Sequence, residues 1–367
     1  MQQRIGQFLL PLAVTLAFWP GILGAATSPR WWVIAVGMGL LFPFSQLSRI
    51  PNQIWTLLTL SFAGIFLSIH NPVGLGEGIK FLLLVLAFIW GMSLPNLTKV
   101  ISGFATGLAI NSILVIAQTL GWNFLPAWES AGPAGLFYNR EVLAELAAPI
   151  LVWGLARNNW TIVLSSISPL LLCQSRVAVI AAIVGIFAAG NLPLKKYAPV
   201  IIVFPLLLIT IVIVLFTSFK IASLFDRFSI WQLAISEILP FGRGLGYWEL
   251  NHPDSKFVHS DLLQLFVEIG PILSLPILAI PVLIIWKSRH DSLEILAVAI
   301  VLLVEAILSF PLHQPATAFL SAVLFGHLSR RCQIPSILHH RLVRIGESIR
   351  GINPDQDLGF SRRAKSK

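Results

Sequence analysis

The stretch "IKFLLLVLAFIWGMSL", from Ile79 to Leu94, contains a single charged residue, Lys80, and no proline. Apolar runs of comparable character recur along the 367-residue chain, several of them close to the roughly 20 residues that a helix needs to cross a bilayer. Because a segment in lipid must satisfy its own backbone hydrogen bonds, such runs predict helices. The sequence therefore predicts an all-α, polytopic integral membrane protein.

The overall composition supports the same class. Hydrophobic residues make up 56% of the chain and charged residues 11%, and the mean hydropathy is +0.83. A soluble domain could not bury that much apolar surface in one core. The two cysteines, Cys173 and Cys332, lie far apart in sequence and predict neither a disulfide framework nor a zinc site.

We predict about twelve spans within a membrane domain over residues 1–330, followed by a basic tail over 331–367. The seventh and eighth spans are short and meet at a break formed by Gln174, Ser175 and Arg176. The predicted spans are 5–24, 31–47, 54–70, 79–94, 99–120, 139–156, 160–174, 176–191, 197–216, 260–286, 292–310 and 315–330.

Lysine and arginine predict the orientation of these spans. With a cytoplasmic N-terminus, 17 of the 25 Lys and Arg residues fall inside, and half of the outer eight lie in one long loop, which the positive-inside rule discounts. Both termini are therefore expected in the cytoplasm. The net charge of +9 is concentrated in the tail, which favours anionic lipid headgroups and argues against nucleic acid as a partner.

Two outer segments are too long to be simple connectors. One covers about 121–138 and carries Trp122 and Trp128, and the other is a long external loop over about 217–258. In the second, Phe225, Phe228, Trp231, Ile235 and Ile238 recur at helical spacing and predict an amphipathic helix lying on the membrane. We expect Asp226 near its N-terminus and Pro240 after its C-terminus.

The tail repeats apolar residues at helical spacing from Ile334 to Ile349, with arginines elsewhere around the helix. This pattern predicts an amphipathic helix on the inner leaflet. A disordered, solvated tail is the alternative.

Two arginines stand out because charge in an apolar setting is costly, about 2.5–3.5 kcal/mol at mid-membrane on insertion scales. Arg176 lies between two apolar halves, which indicates a broken helix opening into a wet cavity, although a snorkelling side chain would look the same. Arg227 lies on the predicted loop helix, where it would sit at headgroup depth. The alternative is that Arg227 and Asp226 are ordinary surface residues without a functional role.

His259 precedes Ser260 and Asp261, which are good N-cap residues, and Gln264 completes a possible capping box. The positive end of the following helix would disfavour imidazolium, and a neutral imidazole could accept a proton. A loop histidine without a chemical role is the alternative.

The glycines Gly242, Gly244 and Gly246 resemble a dinucleotide fingerprint only superficially, because they follow a helix and a proline rather than a strand. We expect them to let the backbone approach a ligand, with exposed amides able to hold a phosphate. Weaker candidates are carboxylates in or near predicted spans, namely Glu141, Glu145, Glu268 and Glu305; His252 and His313 are expected to be structural.

Four segments together resemble the O-antigen ligase and O-antigen polymerase superfamily of polytopic membrane glycosyltransferases. They are "GPAGLFYNREVLAELAAPIL" (132–151), "CQSRVAVIAAIVG" (173–185), "DRFSIWQLAISEILPFGRGLGYW" (226–248) and "HSDLLQLFVEIGPI" (259–272). The resemblance covers about 132–270. It departs from the family pattern at Ser260, where asparagine is common, and at Arg140, where proline or asparagine is usual.

The resemblance implies transfer or polymerisation of an undecaprenyl-diphosphate-linked oligosaccharide on the outer face of the bacterial inner membrane, with inversion at the anomeric carbon. The acceptor would be another glycan, a lipid A core or another hydroxyl. It implies His259, Arg227 and Arg176 as catalytic residues. No cofactor and no metal are expected, because the diphosphate already activates the donor. Residues expected to bind substrate are Arg243, Gly244, Gly246, Asn139 and Arg140.

Two other classes stay open from the residues alone. A membrane transporter of a small anion such as bicarbonate could use a buried arginine beside a broken helix. A non-catalytic scaffold of polysaccharide export would need none of the three catalytic residues.

Overall fold

A computed structural model describes residues 2–18, 27–41, 52–122, 133–137, 139–189, 221–255, 257–288 and 293–331. Every regular element within these ranges is a helix, as the apolar runs predict. Short 3₁₀ turns cover Gly135–Phe137 and Pro311–His313. The α-helices are α1 (Gln2–Leu16), α2 (Thr27–Leu41), α3 (Asn52–Leu67), α4 (Pro72–Ser93), α5 (Thr98–Thr119), α6 (Arg140–Ala156), α7 (Trp160–Leu172), α8 (Arg176–Ala188), α9 (Ile221–Ser236), α10 (Tyr247–Asn251), α11 (Asp261–Glu268), α12 (Pro271–Ser288), α13 (Leu293–Leu308) and α14 (Pro315–Arg331).

Among the described residues, α4, α5 and α12 are long and apolar enough to cross a membrane. Shorter apolar helices are formed by most of α1 and by α3, α7 and α8. The structure thus has the character of a helical membrane protein, while the number of twelve spans stays a prediction. The predicted span at 197–216 and the predicted tail helix lie outside the described residues, as does most of 121–138.

The core is built around α6, whose residues from Val142 to Leu155 are all buried. It packs against α7, α8 and α13. Tight contacts depend on small residues: Gly91 of α4 meets the backbone of Val323 in α14, and Gly326 of α14 meets the backbone of Phe88. Close backbone approach through small residues is the usual packing of helices in lipid, where dispersion contacts replace the hydrophobic effect.

One end of the bundle, which we call the loop end, is formed by the C-terminal ends of α1, α3, α5, α7 and α13 and the N-terminal ends of α2, α4, α6, α8, α11 and α14. Arg30 of α2 donates to the carbonyl of Val14 at 2.9 Å and to that of Leu136, just before α6, at 3.0 Å. The thiol of Cys173, after α7, donates to the carbonyl of Pro133 at 3.3 Å.

The opposite end carries its own polar contacts. Arg157 after α6 lies 3.7 Å from Glu294 in α13, and Arg330 of α14 donates to the carbonyl of Leu94 at 2.8 Å. Both arginines belong to the set assigned to the cytoplasm from the sequence, so the alternation of helix ends agrees with that grouping. Which end faces the cytoplasm stays a prediction.

The predicted break between the seventh and eighth spans is confirmed. Gln174 takes a left-handed conformation (φ 54°), and Ser175 caps α8 by accepting from the amide of Ala178 at 3.4 Å. The prediction of one continuous helix over 260–286 is wrong. Gly270 has φ 84° and separates α11 from α12, because its backbone packs directly against Pro240, Phe241 and Gly242.

The predicted loop helix is present as α9, but two of its details are wrong. It begins at Ile221, so Asp226 lies in its second turn and not at its N-terminus. Its apolar stripe is also divided between two surroundings. Trp231 and Ile238 pack inward on a cluster containing Trp248, whereas Phe228 and Ile235 are exposed. The loop therefore has a small core of its own.

Candidate functional site

Arg227 forms an ion pair with Glu141 at the loop end. Its Nη2 lies 3.1 Å from Oε2 and 3.3 Å from Oε1 of the carboxylate, and its Nη1 reaches the carbonyl of Leu308 at 3.5 Å. The two side chains are 23% and 33% exposed, so the pair is partly shielded from water. Glu141 occupies the first turn of α6, where a negative charge complements the helix dipole. The external loop is thereby joined to the central helix of the bundle.

His259 lies beside this ion pair, in an unusual backbone conformation with φ 58°. A left-handed conformation is uncommon for a residue with a side chain and marks a position held by its surroundings. Its Nδ1 is buried and finds no hydrogen-bond partner in the described part of the chain, and its ring packs edge-on against that of Phe310, with 5.2 Å between the ring centroids. Burial and the positive charge of Arg227 lower the pKa of His259 below its ordinary value of 6.5, against a smaller opposing effect of Glu141. The imidazole is therefore neutral at pH 7.

The backbone around His259 is held on both sides. The indole of Trp231 in α9 donates to the carbonyl of Val258 at 3.0 Å, and Ser260 caps α11 by accepting from the amide of Leu263 at 3.4 Å. Asp261 is the first residue of α11 and not its cap, and its amide donates to the carbonyl of Ser309 at 2.9 Å. These contacts fix His259 between the loop core and the end of α13.

The capping box expected at Gln264 is not formed. Its amide oxygen accepts from the amide of Val258 at 3.4 Å, and its Nε2 donates to Glu268 at 3.2 Å. Gln264 thus ties the turn before His259 to the end of α11. The sequence spacing is compatible with a capping box and with a bond from Gln264 to Glu268. The second is formed, because Glu268 is buried one turn after Gln264 and needs a donor.

A second histidine, His313, lies near the phenylalanine that stacks on Phe310. Phe257 and Phe310 stack at 4.6 Å and 7°, and His313 lies 5.5 Å from Phe257. Its Nδ1 lies 2.6 Å from the buried carboxylate of Asp261, which also accepts from the amide of Leu312 at 2.8 Å.

The two histidines have opposite charge states. Burial disfavours the charged form of His313, but the hydrogen bond and the charge of Asp261 outweigh it and raise the pKa of His313 to about 9. His313 is therefore an imidazolium near neutral pH, whereas His259 is neutral. Neighbouring groups whose surroundings separate their pKa values are typical of sites that move protons. The sequence identified His259 and treated His313 as structural.

The glycine segment is packed against the protein. The amides of Gly244 and Gly246 donate to the carbonyl and the carboxylate of Glu268, at 2.8 and 3.1 Å, and both glycines are buried. These two amides are occupied in this conformation, so the expected amide cradle for a phosphate is not present. Arg243 is exposed, donates from Nε to the carbonyl of Glu237 at 2.9 Å and lies over Tyr247 at 5.2 Å.

The remaining predicted residues lie at the loop end. Asn139 caps α6 by accepting from the amide of Glu141 at 2.8 Å, which places the carboxylate that holds Arg227. Arg140 is half-buried and close enough to Cys173 to affect it electrostatically, and Arg176 is the first residue of α8. Glu141 was only a weak candidate from the sequence. Its pairing with Arg227 could not be predicted, because 86 residues separate the two.

No protein-family model matches the chain, and no curated protein gives a significant match.

Proposed function

We propose that the chain is a membrane glycosyltransferase that transfers or polymerises an undecaprenyl-diphosphate-linked oligosaccharide at the loop end, on the outer face of the bacterial inner membrane. The observation that carries the proposal is the placement of a neutral imidazole, His259, beside a guanidinium, Arg227, at one end of an apolar helical bundle. A proton acceptor for the attacking hydroxyl and a fixed cation for the leaving group are the two groups that would accelerate glycan transfer from a lipid diphosphate.

The proposed step is an in-line displacement at the anomeric carbon. The acceptor hydroxyl forms the new C–O bond while the bond to the diphosphate breaks, and the lipid diphosphate leaves with the electron pair. His259 takes the hydroxyl proton through Nε2, since Nδ1 is buried. Arg227 binds the diphosphate, because a guanidinium fork matches phosphate oxygens and stays charged. Arg176, at the N-terminus of α8, supplies a second cation at the same end.

The substrate side of the site is an expectation of the same proposal. Arg243, which is exposed, would approach the donor, whereas Gly244 and Gly246 are given no part in donor binding because their amides are bound to Glu268. Asn139 and Arg140 would contact the substrate at the N-terminus of α6. The acceptor is another glycan, a lipid A core or another hydroxyl, and no cofactor is required because the diphosphate activates the donor.

The test uses purified protein in proteoliposomes with an undecaprenyl-diphosphate-linked oligosaccharide, and measures undecaprenyl diphosphate release and glycan elongation. Arg227→Lys keeps the charge but loses the fork, and a charge-assisted hydrogen bond contributes about 1.5–3 kcal/mol. The rate should therefore fall roughly 10- to 100-fold, at about 1.4 kcal/mol per tenfold. His259→Ala should abolish transfer. The matched control is Arg157→Lys at the opposite end, which should leave the rate unchanged.

Normal turnover in both Arg227→Lys and His259→Ala, at normal protein amounts in the membrane, would refute the proposal. Uptake of radiolabelled bicarbonate by the same proteoliposomes, without glycan elongation, would favour an anion transporter instead. In a deletion strain, loss of every polysaccharide ladder band above the core indicates a ligase, and a single repeat on the core indicates a polymerase.

A further inference from the structure

Two carboxylic acids lie inside the bundle, one helical turn below the loop end. Glu145 of α6 is 1% exposed, and Glu305 of α13 is completely buried. They are close enough to interact electrostatically. Glu145 follows Glu141 by four residues and Glu305 precedes Ser309 by four, so each pair lies on one face of its helix. The two faces meet where the hydroxyl of Ser309 donates to Oε1 of Glu145.

The oxygen atoms of this group are largely without donors. Oε2 of Glu145 and both carboxylate oxygens of Glu305 are buried and have no hydrogen-bond partner among the residues that the structure describes. A buried carboxylate without a partner is strongly disfavoured, and buried polar groups in native structures are nearly always satisfied. Three unpartnered oxygens on two electrostatically coupled carboxyl groups, beside one hydroxyl, therefore indicate a positively charged ligand.

Within the described ranges, neighbouring groups do not supply that positive charge. Arg227 is already paired with Glu141, and its electrostatic effect on Glu145 is the smallest of those that neighbouring charges exert on that carboxyl. Glu141 and Asp261 add negative charge, and the cation nearest Asp261 is His313, which is bound to it. The local balance is thus negative one turn below a site whose own ions are compensated.

We propose that Glu145, Glu305 and Ser309 form a buried binding site for one monovalent cation, either a proton or a sodium ion. Carboxylate and hydroxyl oxygens are the hard ligands that such ions take, and ionisable residues within helical membrane bundles commonly mark proton or ion sites. The proposal does not depend on glycan transfer, since it rests on the interior of the bundle and not on Arg227 or His259. It gives α13 a function beyond packing.

The experiment is labelling of the purified protein in detergent with the apolar reagent dicyclohexylcarbodiimide, which attacks protonated carboxyl groups in apolar surroundings, followed by peptide mass spectrometry. We expect modification at Glu305 or Glu145 in sodium-free buffer. Protection by sodium chloride, but not by choline chloride, identifies a sodium site. Modification that sodium does not change identifies a proton site. Glu294→Gln, in the partly exposed first turn of the same helix, is the matched control and should leave the labelling unchanged.

A second measurement is needed for the case in which dicyclohexylcarbodiimide cannot reach the buried carboxyl groups. Infrared difference spectra should show the C=O stretch of a protonated carboxyl in sodium-free buffer, lost when Glu145→Gln and Glu305→Gln are combined and kept in Glu294→Gln. In a sodium site, added sodium removes the band and raises the thermal unfolding temperature of the unmodified protein. The proposal is overturned if labelling, the carboxyl band and the unfolding temperature are all the same with and without sodium, and the band survives when Glu145→Gln and Glu305→Gln are combined. Loss of glycan transfer alone would bear on the proposed function and not on this site.

Discussion

The Arg227–Glu141 ion pair should contribute measurably to stability, and a double-mutant cycle with Arg227→Gln and Glu141→Gln isolates that contribution. Exposed ion pairs contribute about 0.2–1 kcal/mol, whereas breaking a fully buried pair costs about 3–5 kcal/mol. With side chains 23% and 33% exposed and a separation of 3.1 Å, this pair lies between those limits. We expect a coupling free energy of about 1–2 kcal/mol.

The assay is reversible unfolding of the purified protein in mixed micelles with increasing sodium dodecyl sulfate. The structure supplies a matched pair at the opposite end, Arg157 and Glu294, which is longer at 3.7 Å and has side chains 46% and 27% exposed. Its cycle should give at most about 0.5 kcal/mol. The reasoning is refuted if the two cycles give equal couplings, or if the coupling at Arg227 is zero.

Three further predictions test the surroundings of the site. The acid limb of kcat/KM should have its midpoint below pH 6.5, because burial and Arg227 lower the pKa of His259; a midpoint above that value contradicts a neutral base. The stability that His313 contributes should be complete below pH 6.5 and be lost as pH rises through about 9, since Asp261 raises its pKa; His313→Gln should remove this dependence from unfolding curves. Gly270→Ala should destabilise the protein by about 2–4 kcal/mol, because a left-handed position and backbone contacts leave no room for a side chain. Gly76→Ala, in an open part of α4, is its control and should change stability by less than about 1 kcal/mol in melting experiments.

The all-helical fold could be predicted from the sequence because apolar composition decides the backbone structure in lipid. The break at Ser175 could also be predicted, since a polar Gln-Ser-Arg run between two apolar halves is local information. The break at Gly270 could not. A lone glycine in an apolar run is tolerated inside helices, and only its contact with the backbone of residues 240–242 requires φ 84°.

Two residues of the candidate site could be predicted from the sequence, but the residues that pair with them could not. Arg227 and His259 are conspicuous because charge and imidazole are rare in this composition. Their partners are not: Glu141, Asp261 and His313 become important through contacts between distant segments, which no spacing rule reports. The phosphate cradle expected at Gly244 failed for the same reason, because Glu268 lies 24 residues away in sequence and takes its amide.

The ion pair also bears on how a diphosphate would leave the proposed site. A lipid diphosphate bound at Arg227 faces Glu141, so binding must weaken the existing pair and forgoes its free energy. A pair contributing about 1–2 kcal/mol reduces the affinity of Arg227 for the diphosphate by roughly 5- to 30-fold. The reduction applies to donor and product alike, and it matters most for the product, which carries the fuller charge on its terminal phosphate. In the proposed reaction, reformation of the Arg227–Glu141 pair would therefore favour release of the lipid diphosphate once the glycosidic bond has broken.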